Sequence, residues 1–187
     1  TRGVLCLGRV EWKKRRVTMF KCFYPDYDVE SAYEIDYELM YRKGYRGIIF
    51  DIDNTLVMHG APADERAKDL FARLKTLGFA CCLLSNNQEP RVKMFNEEIG
   101  VHYIYNAHKP STVNYEKAMQ MMGTDKTNTV FVGDQLFTDV WGAKRTGITN
   151  YLVKPINPKE EIQIVLKRQL EKVVLYFYHK SQKKNPM

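Results

Sequence analysis

The sequence predicts a doubly wound α/β fold, a mainly parallel sheet covered by helices on both faces. Two observations carry that prediction. From residue 47 onward, short continuous apolar runs alternate with helix-length segments, the pattern of strands buried on both sides and joined by helical crossovers. Glycines stand where those helices should stop, at Gly78, Gly100, Gly123 and Gly147. At 187 residues the chain fits one such domain and is too short for two ordinary ones.

The elements follow in order. Residues 47–50 read as the first buried strand, 63–77 as a helix and 79–84 as the second strand. A helix over 88–99 carries Pro90 in its first turn, where a missing N–H costs little. Strands over 101–104, 129–132 and 148–153 alternate with helices over 111–122 and 135–146, and a last helix starts near Pro158. Ahead of the first strand, Ser31 and Glu34 have capping-box spacing and Tyr33, Tyr37 and Tyr41 recur four apart, which predicts short helical turns. Met119, Met121, Met122 and Trp141 read as helix packing rather than a cofactor site.

Charge divides the chain further. Residues 1–18 carry six basic and one acidic residue, residues 159–187 seven and three, and the stretch between 16 and 18, so the net +7 belongs to the ends. Four parts are therefore expected: a leader over 1–18 foreign to the folded protein, with Met19 as its natural start; a segment over 19–46 packing on the core; the core itself over 47–157; and a C-terminal helix with a basic tail over 158–187. An organelle transit peptide fits the leader less well, because Glu11 interrupts it and serine is absent. No apolar run is long enough to span a bilayer. Cys6, Cys22, Cys81 and Cys82 lack metal-ligand spacing and read as reduced thiols of a cytoplasmic protein.

Sheets of this kind present ligands at the carboxyl ends of their strands. Those ends deliver Asp51-Ile52-Asp53-Asn54-Thr55-Leu56, then Ser85-Asn86-Asn87, then His108-Lys109-Pro110, then Gly133-Asp134-Gln135-Leu136-Phe137-Thr138-Asp139. One acidic pair is weak evidence; four polar loops in this order are strong. A carboxylate attacks a dianionic phosphomonoester only where cations and oriented donors cancel the repulsion. Asp51 and Asp134 suit a Mg²⁺ ion, Lys109 adds positive charge, and Ser85 and Asn86 stand in a phosphate loop. Asp53 is placed to protonate the leaving oxygen and later to activate water. A calcium loop is excluded, because Leu56 and Pro62 occupy the positions that need Gly and a bidentate Glu. His59 reads as a solvent-facing loop residue; His102 and His108 flank a strand end, and only His108 lies near the site.

DIDNTL, LLSNN, HKP and GDQLFTD resemble, in order, the four motifs of the haloacid dehalogenase (HAD) superfamily, whose core is Rossmannoid. More narrowly the chain resembles the YqeG-type branch of HAD subfamily IIIA, over residue 19 through the strand ending at Val153. That resemblance implies a nucleophile at Asp51, an acid/base at Asp53, phosphate contacts at Ser85 and Lys109, and metal held by Asp51, Asp134 and the Asp53 carbonyl. It places Thr55 and Asp139 beside the metal carboxylates. It also implies a substrate, since members of this branch are linked with the enzyme that converts phosphatidylglycerophosphate to phosphatidylglycerol.

Spacing sets the shape of the site. Thirty-four positions separate Asp51 from Ser85, 24 separate Ser85 from Lys109 and 25 separate Lys109 from Asp134, each filled by one helix and one strand. No room remains for a large cap domain, so an open cleft is expected and hydrolysis is favoured over mutase chemistry. A phosphate projecting from a membrane suits such a cleft. The last helix, with the stripe Ile162, Leu166, Leu170, Val173, Phe177 and its aromatic, basic end, is expected either to pack on the sheet or to meet the inner face of the membrane. Two other readings stay open: a soluble phosphatase acting on a sugar phosphate, nucleotide or phosphoprotein, and a non-catalytic nucleic-acid or ribosome-associated adaptor.

Overall fold

Alternation along the strands decides how the sheet is covered. In the computed structural model the described residues are 20–157 and 162–182, with side chains described from 169 onward in the second stretch. Among them six strands, β1 (Tyr27–Val29), β2 (Gly47–Phe50), β3 (Ala80–Leu84), β4 (His102–Ile104), β5 (Thr129–Gly133) and β6 (Thr149–Val153), form one parallel sheet in the order β1-β6-β5-β2-β3-β4. Ile48, Phe50, Cys81, Leu83, Val130 and Val132 point into one apolar cluster, while Ile49, Cys82, Leu84 and Phe131 point into another.

Helices α1 (Tyr37–Arg42), α2 (Glu65–Leu77) and α3 (Glu89–Asn96) supply the first cluster; α4 (Val113–Met122) and α5 (Trp141–Thr146) supply the second. Winding in both directions from β2 puts the carboxyl ends of β2, β3 and β5 side by side at the centre of the sheet. No large cap interrupts these elements among the described residues.

Local chemistry sets the ends of several elements. Helix α2 starts two residues later than its apolar pattern, because Asp64 Oδ1 accepts the Ala67 N–H at 2.8 Å and so caps it. Helix α3 stops at Asn96, short of the expected 99, because the Asn96 side chain bonds both the N–H and the carbonyl of Val101 (3.1 and 2.9 Å) and turns the chain into β4. The tyrosine series is core: Tyr37 is fully buried, Tyr33 and Tyr41 pack beside it, and Tyr33 donates to the Leu56 carbonyl at 2.5 Å.

One expectation needs extension. The segment before residue 47 does more than pack on the core, because it contributes β1, a three-residue edge strand too short to show a pattern. Its register rests on polar groups: Asp26 Oδ2 accepts the Asn150 N–H and Nδ2 (3.1 and 2.6 Å), and Asn150 Oδ1 accepts the Asp26 N–H at 3.2 Å. The last helix, α6, spans Ile162–Gln182. Its buried face is Glu171, Val174 and Tyr178, while Leu170 and Val173 of the expected stripe are 58% and 49% exposed and Tyr176 of its aromatic end is 61% exposed.

Pro25–Glu160 form one compact unit, and α6 with residues 20–24 belongs to another, in which Phe20 stacks on Phe177 and Tyr24 meets Tyr178 edge-on. The expected leader over 1–18, the start at Met19, the onset of the last helix at Pro158 and the tail over 183–187 lie outside the described residues. Cys22, Cys81 and Cys82 are free thiols, and burial pushes Cys81 and Cys82 up to about 12, which keeps them protonated and inert.

Asn150 is fully buried, so removing its partner leaves an amide without an acceptor. Asp26→Ala should lower stability by about 1–3 kcal/mol and raise amide exchange in β1 and β6, measured by denaturant unfolding and hydrogen exchange.

Candidate active site

Each strand that points at the site ends in a turn stitched to its neighbour. After β2 the chain folds back on itself: Leu56 N–H bonds the Ile52 carbonyl at 2.9 Å, and Asn54 N–H bonds the Val57 carbonyl at 2.7 Å with Asn54 in the left-handed region at φ 63°. After β3 and β4, Ala107 N–H bonds the Ser85 carbonyl (2.9 Å) and Asn106 N–H bonds that of Asn87 (2.9 Å). These ties bring Asp51, Ser85, Lys109, Asp134 and Asp139 together as buried side chains.

Lys109 is the link among them. Its Nζ lies 2.7 Å from Asp51 Oδ1 and 2.8 Å from Asp139 Oδ1. Asp139 Oδ2 in turn accepts the main-chain N–H groups of Asp134 (3.1 Å) and Gln135 (3.0 Å). Asp139 sits in a wide turn, Leu136–Val140, where the Val140 N–H reaches back five residues to Gln135. The expected single helix over 135–146 is therefore a π turn followed by α5, as is common at functional sites. Gly133 makes room for it, since a Cβ there would lie 2.5 Å from Asp139 Oδ2.

Other expected residues take distinct places. Thr55 Oγ1 donates to Asp134 Oδ1 at 3.3 Å. Ser85 Oγ accepts the Asn87 N–H at 3.2 Å, which leaves its own O–H to donate. The Asn86 side chain grips the main chain of Lys109: its Oδ1 accepts the Lys109 N–H at 2.7 Å and its Nδ2 faces the Lys109 carbonyl at 3.4 Å. Asn86 thus acts on the site through Lys109. His108 and His102 are exposed.

Asp53 is held apart from this group by donors that sequence reasoning missed. Gly60 N–H (2.7 Å), Arg91 Nη2 (2.9 Å) and Arg91 Nε (3.2 Å) converge on its Oδ1, and Asn87 Nδ2 donates to Oδ2 at 2.6 Å. His59, with 59% of its side chain exposed, is 3.8 Å from Oδ1. The available signal was position: Asn87 stands in the loop after β3 and Arg91 in the first turn of the helix that follows it.

Burial dominates the electrostatics. It pushes Asp51 up to about 6, opposed by Lys109 and reinforced by Asp139. Burial alone would lower the Lys109 ammonium, but the carboxylates of Asp139 and Asp51 outweigh it and hold the charge well above the ordinary lysine range. Oxygens of Asp51, Asp134 and Asp139 lie within 4.8 Å of one another, close enough to share a divalent cation. Both Asp139 oxygens already serve Lys109 and the amides, so Asp51 and Asp134 fit best as ligands to a hard ion that takes few protein oxygens.

A HAD-hydrolase-like family model matches residues 106–157. The Bacillus subtilis protein named "Probable phosphatase YqeG" is 37% identical over 156 residues, which cover 83% of this chain and 91% of that protein. The chain belongs to the YqeG-type branch of the HAD phosphatases. Another relative of this phosphatase, "Phosphatidylglycerophosphate phosphatase 1, chloroplastic/mitochondrial" of Arabidopsis thaliana, is 29% identical over 168 residues, 81% of this chain and 47% of that protein, so the chain spans about half its length. A hypothetical protein from Xanthomonas campestris shares the fold, with a TM-score of 0.51 at 14% identity over 82% of this chain and 94% of that one.

Because the folded Asp51 titrates above its ordinary value, its stabilising contribution in the metal-free protein is full below about pH 4 and is lost as pH rises through about 6. A cation bound to ionised Asp51 reverses that loss. The increase in melting temperature on adding Mg²⁺ or Mn²⁺ should therefore be larger at about pH 7.5 than at about pH 5; thermal melts at both values, with and without metal, measure it.

Proposed function

We propose that this phosphatase transfers a phosphoryl group to Asp51, uses Mg²⁺, and acts on phosphatidylglycerophosphate to give phosphatidylglycerol. The observation that carries the chemistry is the Lys109 ammonium bridging buried Asp51 and Asp139 beside Asp134. It supports a carboxylate nucleophile whose approach to a dianion is made tolerable by fixed positive charge.

In this reading an Asp51 oxygen attacks phosphorus as the bond to the leaving oxygen breaks, and Asp53 delivers a proton to that oxygen. Asp53 then takes a proton from a water molecule, which attacks the aspartyl-phosphate, releases inorganic phosphate and restores Asp51. Ser85 donates its hydroxyl to a phosphoryl oxygen, and Lys109, oriented by Asn86 and Asp139, stays charged throughout. Mg²⁺ held by Asp51 and Asp134, with the Asp53 carbonyl, would supply further positive charge to the phosphoryl oxygens.

Three observations support a lipid substrate. The Arabidopsis relative carries that activity in its name. Among the described residues no cap encloses the site, and a groove of about 400 Å³ beside the Asp51 loop is lined by Tyr33, Leu56, Met58, Pro62, Arg66 and Ile156. Helix α6 exposes Leu170, Val173 and Tyr176 near the cation Lys180, a face suited to the surface of an anionic membrane. No described helix is long and apolar enough to cross a membrane.

Phosphate release from phosphatidylglycerophosphate in mixed micelles with Mg²⁺ tests the reading. The wild-type rate should far exceed that on a small generic ester, and Asp51→Asn should lose activity by roughly three orders of magnitude or more. Asp51-dependent release from the generic ester alone would retain the chemistry and move the substrate to a soluble phosphate.

A further inference from the structure

A buried phenol hydroxyl is bonded to the turn that presents Asp139. Tyr115 is fully buried in α4, and its Oη–H is shared between the main-chain carbonyls of Thr138 (3.1 Å) and Asp139 (3.4 Å). Both carbonyls belong to the π turn, where the Val140 and Trp141 N–H groups reach back five residues to Gln135 and Leu136.

The neighbours of the phenol make room for it. A Cβ at Gly142 would stand 2.3 Å from Tyr115 Oη, so a residue with no side chain lets α5 pass beside the hydroxyl. The Tyr115 ring lies against Phe131 with centroids 5.2 Å apart, and the Lys109 ammonium stands 5.6 Å from the centre of that same Phe131 ring. Tyr115 therefore adjoins the packing under Lys109 and the main chain that carries Asp139.

The phosphoryl-transfer scheme needs the Lys109 ammonium in a fixed place beside Asp51, and Asp139 holds it from the other side. Asp139 meets Lys109 with one oxygen while the amides of Asp134 and Gln135 hold the other. Both contacts require residue 139 to stay in the wide turn. Such turns are rare beside the ordinary α-helix, so contacts from outside the turn matter to its persistence. Tyr115 supplies one from a different helix.

We propose that Tyr115 is a positioning residue for phosphoryl transfer: its hydroxyl pins the Leu136–Val140 turn, which sets the Asp139 carboxylate and through it the Lys109 ammonium beside Asp51. This rests on the phosphatase reading above. Tyr115 touches neither the phosphoryl group nor a metal; it acts through Asp139.

Tyr115→Phe removes the hydroxyl and keeps the ring. Tyr37→Phe is the matched control, because Tyr37 is also fully buried and donates to a main-chain carbonyl, that of Ala32 at 2.6 Å, within the apolar cluster on the other face of the sheet. The assay uses p-nitrophenyl phosphate with saturating Mg²⁺, since its leaving group departs without a proton and the rate reports on the Asp51 side of the site. Tyr115→Phe should lower kcat about tenfold with KM within about twofold, whereas Tyr37→Phe should keep both within about twofold although each variant melts at a lower temperature. Hydrogen exchange over residues 134–140 should quicken at least about tenfold in Tyr115→Phe and stay unchanged in Tyr37→Phe. An unchanged kcat or unchanged exchange in Tyr115→Phe, an equal fall in both variants, a loss carried by KM, or failure of Tyr115→Phe to fold would overturn the proposal and leave the hydroxyl as a stability contact. Failure of the phosphatase reading shows separately, as a wild type that releases no phosphate from any ester or releases it after Asp51→Asn, while exchange still reports whether the hydroxyl pins the turn.

Discussion

A buried ammonium between two carboxylates is the constraint on which the rest of this site depends. Taking Lys109, Asp51 and Asp139 out of water carries a large desolvation cost, and only close, fully bonded geometry offsets it. The fold provides that geometry from three strand ends. Asn86 fixes the main chain of Lys109, the amides of Asp134 and Gln135 hold the far oxygen of Asp139, and Gly133 leaves the space Asp139 fills. The π turn over Leu136–Val140 follows from the same demand, because a wider turn is what brings the Asp139 carboxylate back to the amides at its own start.

The two aspartates of the Asp51 loop consequently sit in different surroundings, although one residue separates them. Asp51 faces Lys109 and the cluster able to hold a cation. Asp53 faces Arg91, Asn87 and the Gly60 amide. Asn54, in its left-handed conformation, makes the turn that separates the two directions, and its carbonyl is held by the Ile156 N–H in the loop after β6.

With no cap over the described site, water exclusion and recognition fall to the rim and to the substrate itself. A largely apolar groove lies beside the Asp51 loop, and the Arg91 guanidinium pairs with Asp53.

Much of this was legible in the sequence, for identifiable reasons. Continuous apolar strands, glycine stops and the order of polar loops determine a doubly wound sheet, because strand burial and helix closure are local properties of residue type. The motif residues Asp51, Ser85, Lys109 and Asp134 fall at strand ends, where such a sheet must gather them. What only the tertiary structure decided was how the polar side chains pair. Asn86 turns to Lys109 rather than outward, Arg91 and Asn87 clamp Asp53, β1 is pinned through Asp26 and Asn150, and α6 buries Glu171, Val174 and Tyr178 instead of the face its apolar pattern suggests. Hydrogen bonds and ion pairs join residues far apart in the chain, from 23 positions for Asn86 and Lys109 to 124 for Asp26 and Asn150. No local pattern encodes them, since each depends on two strand ends being folded side by side.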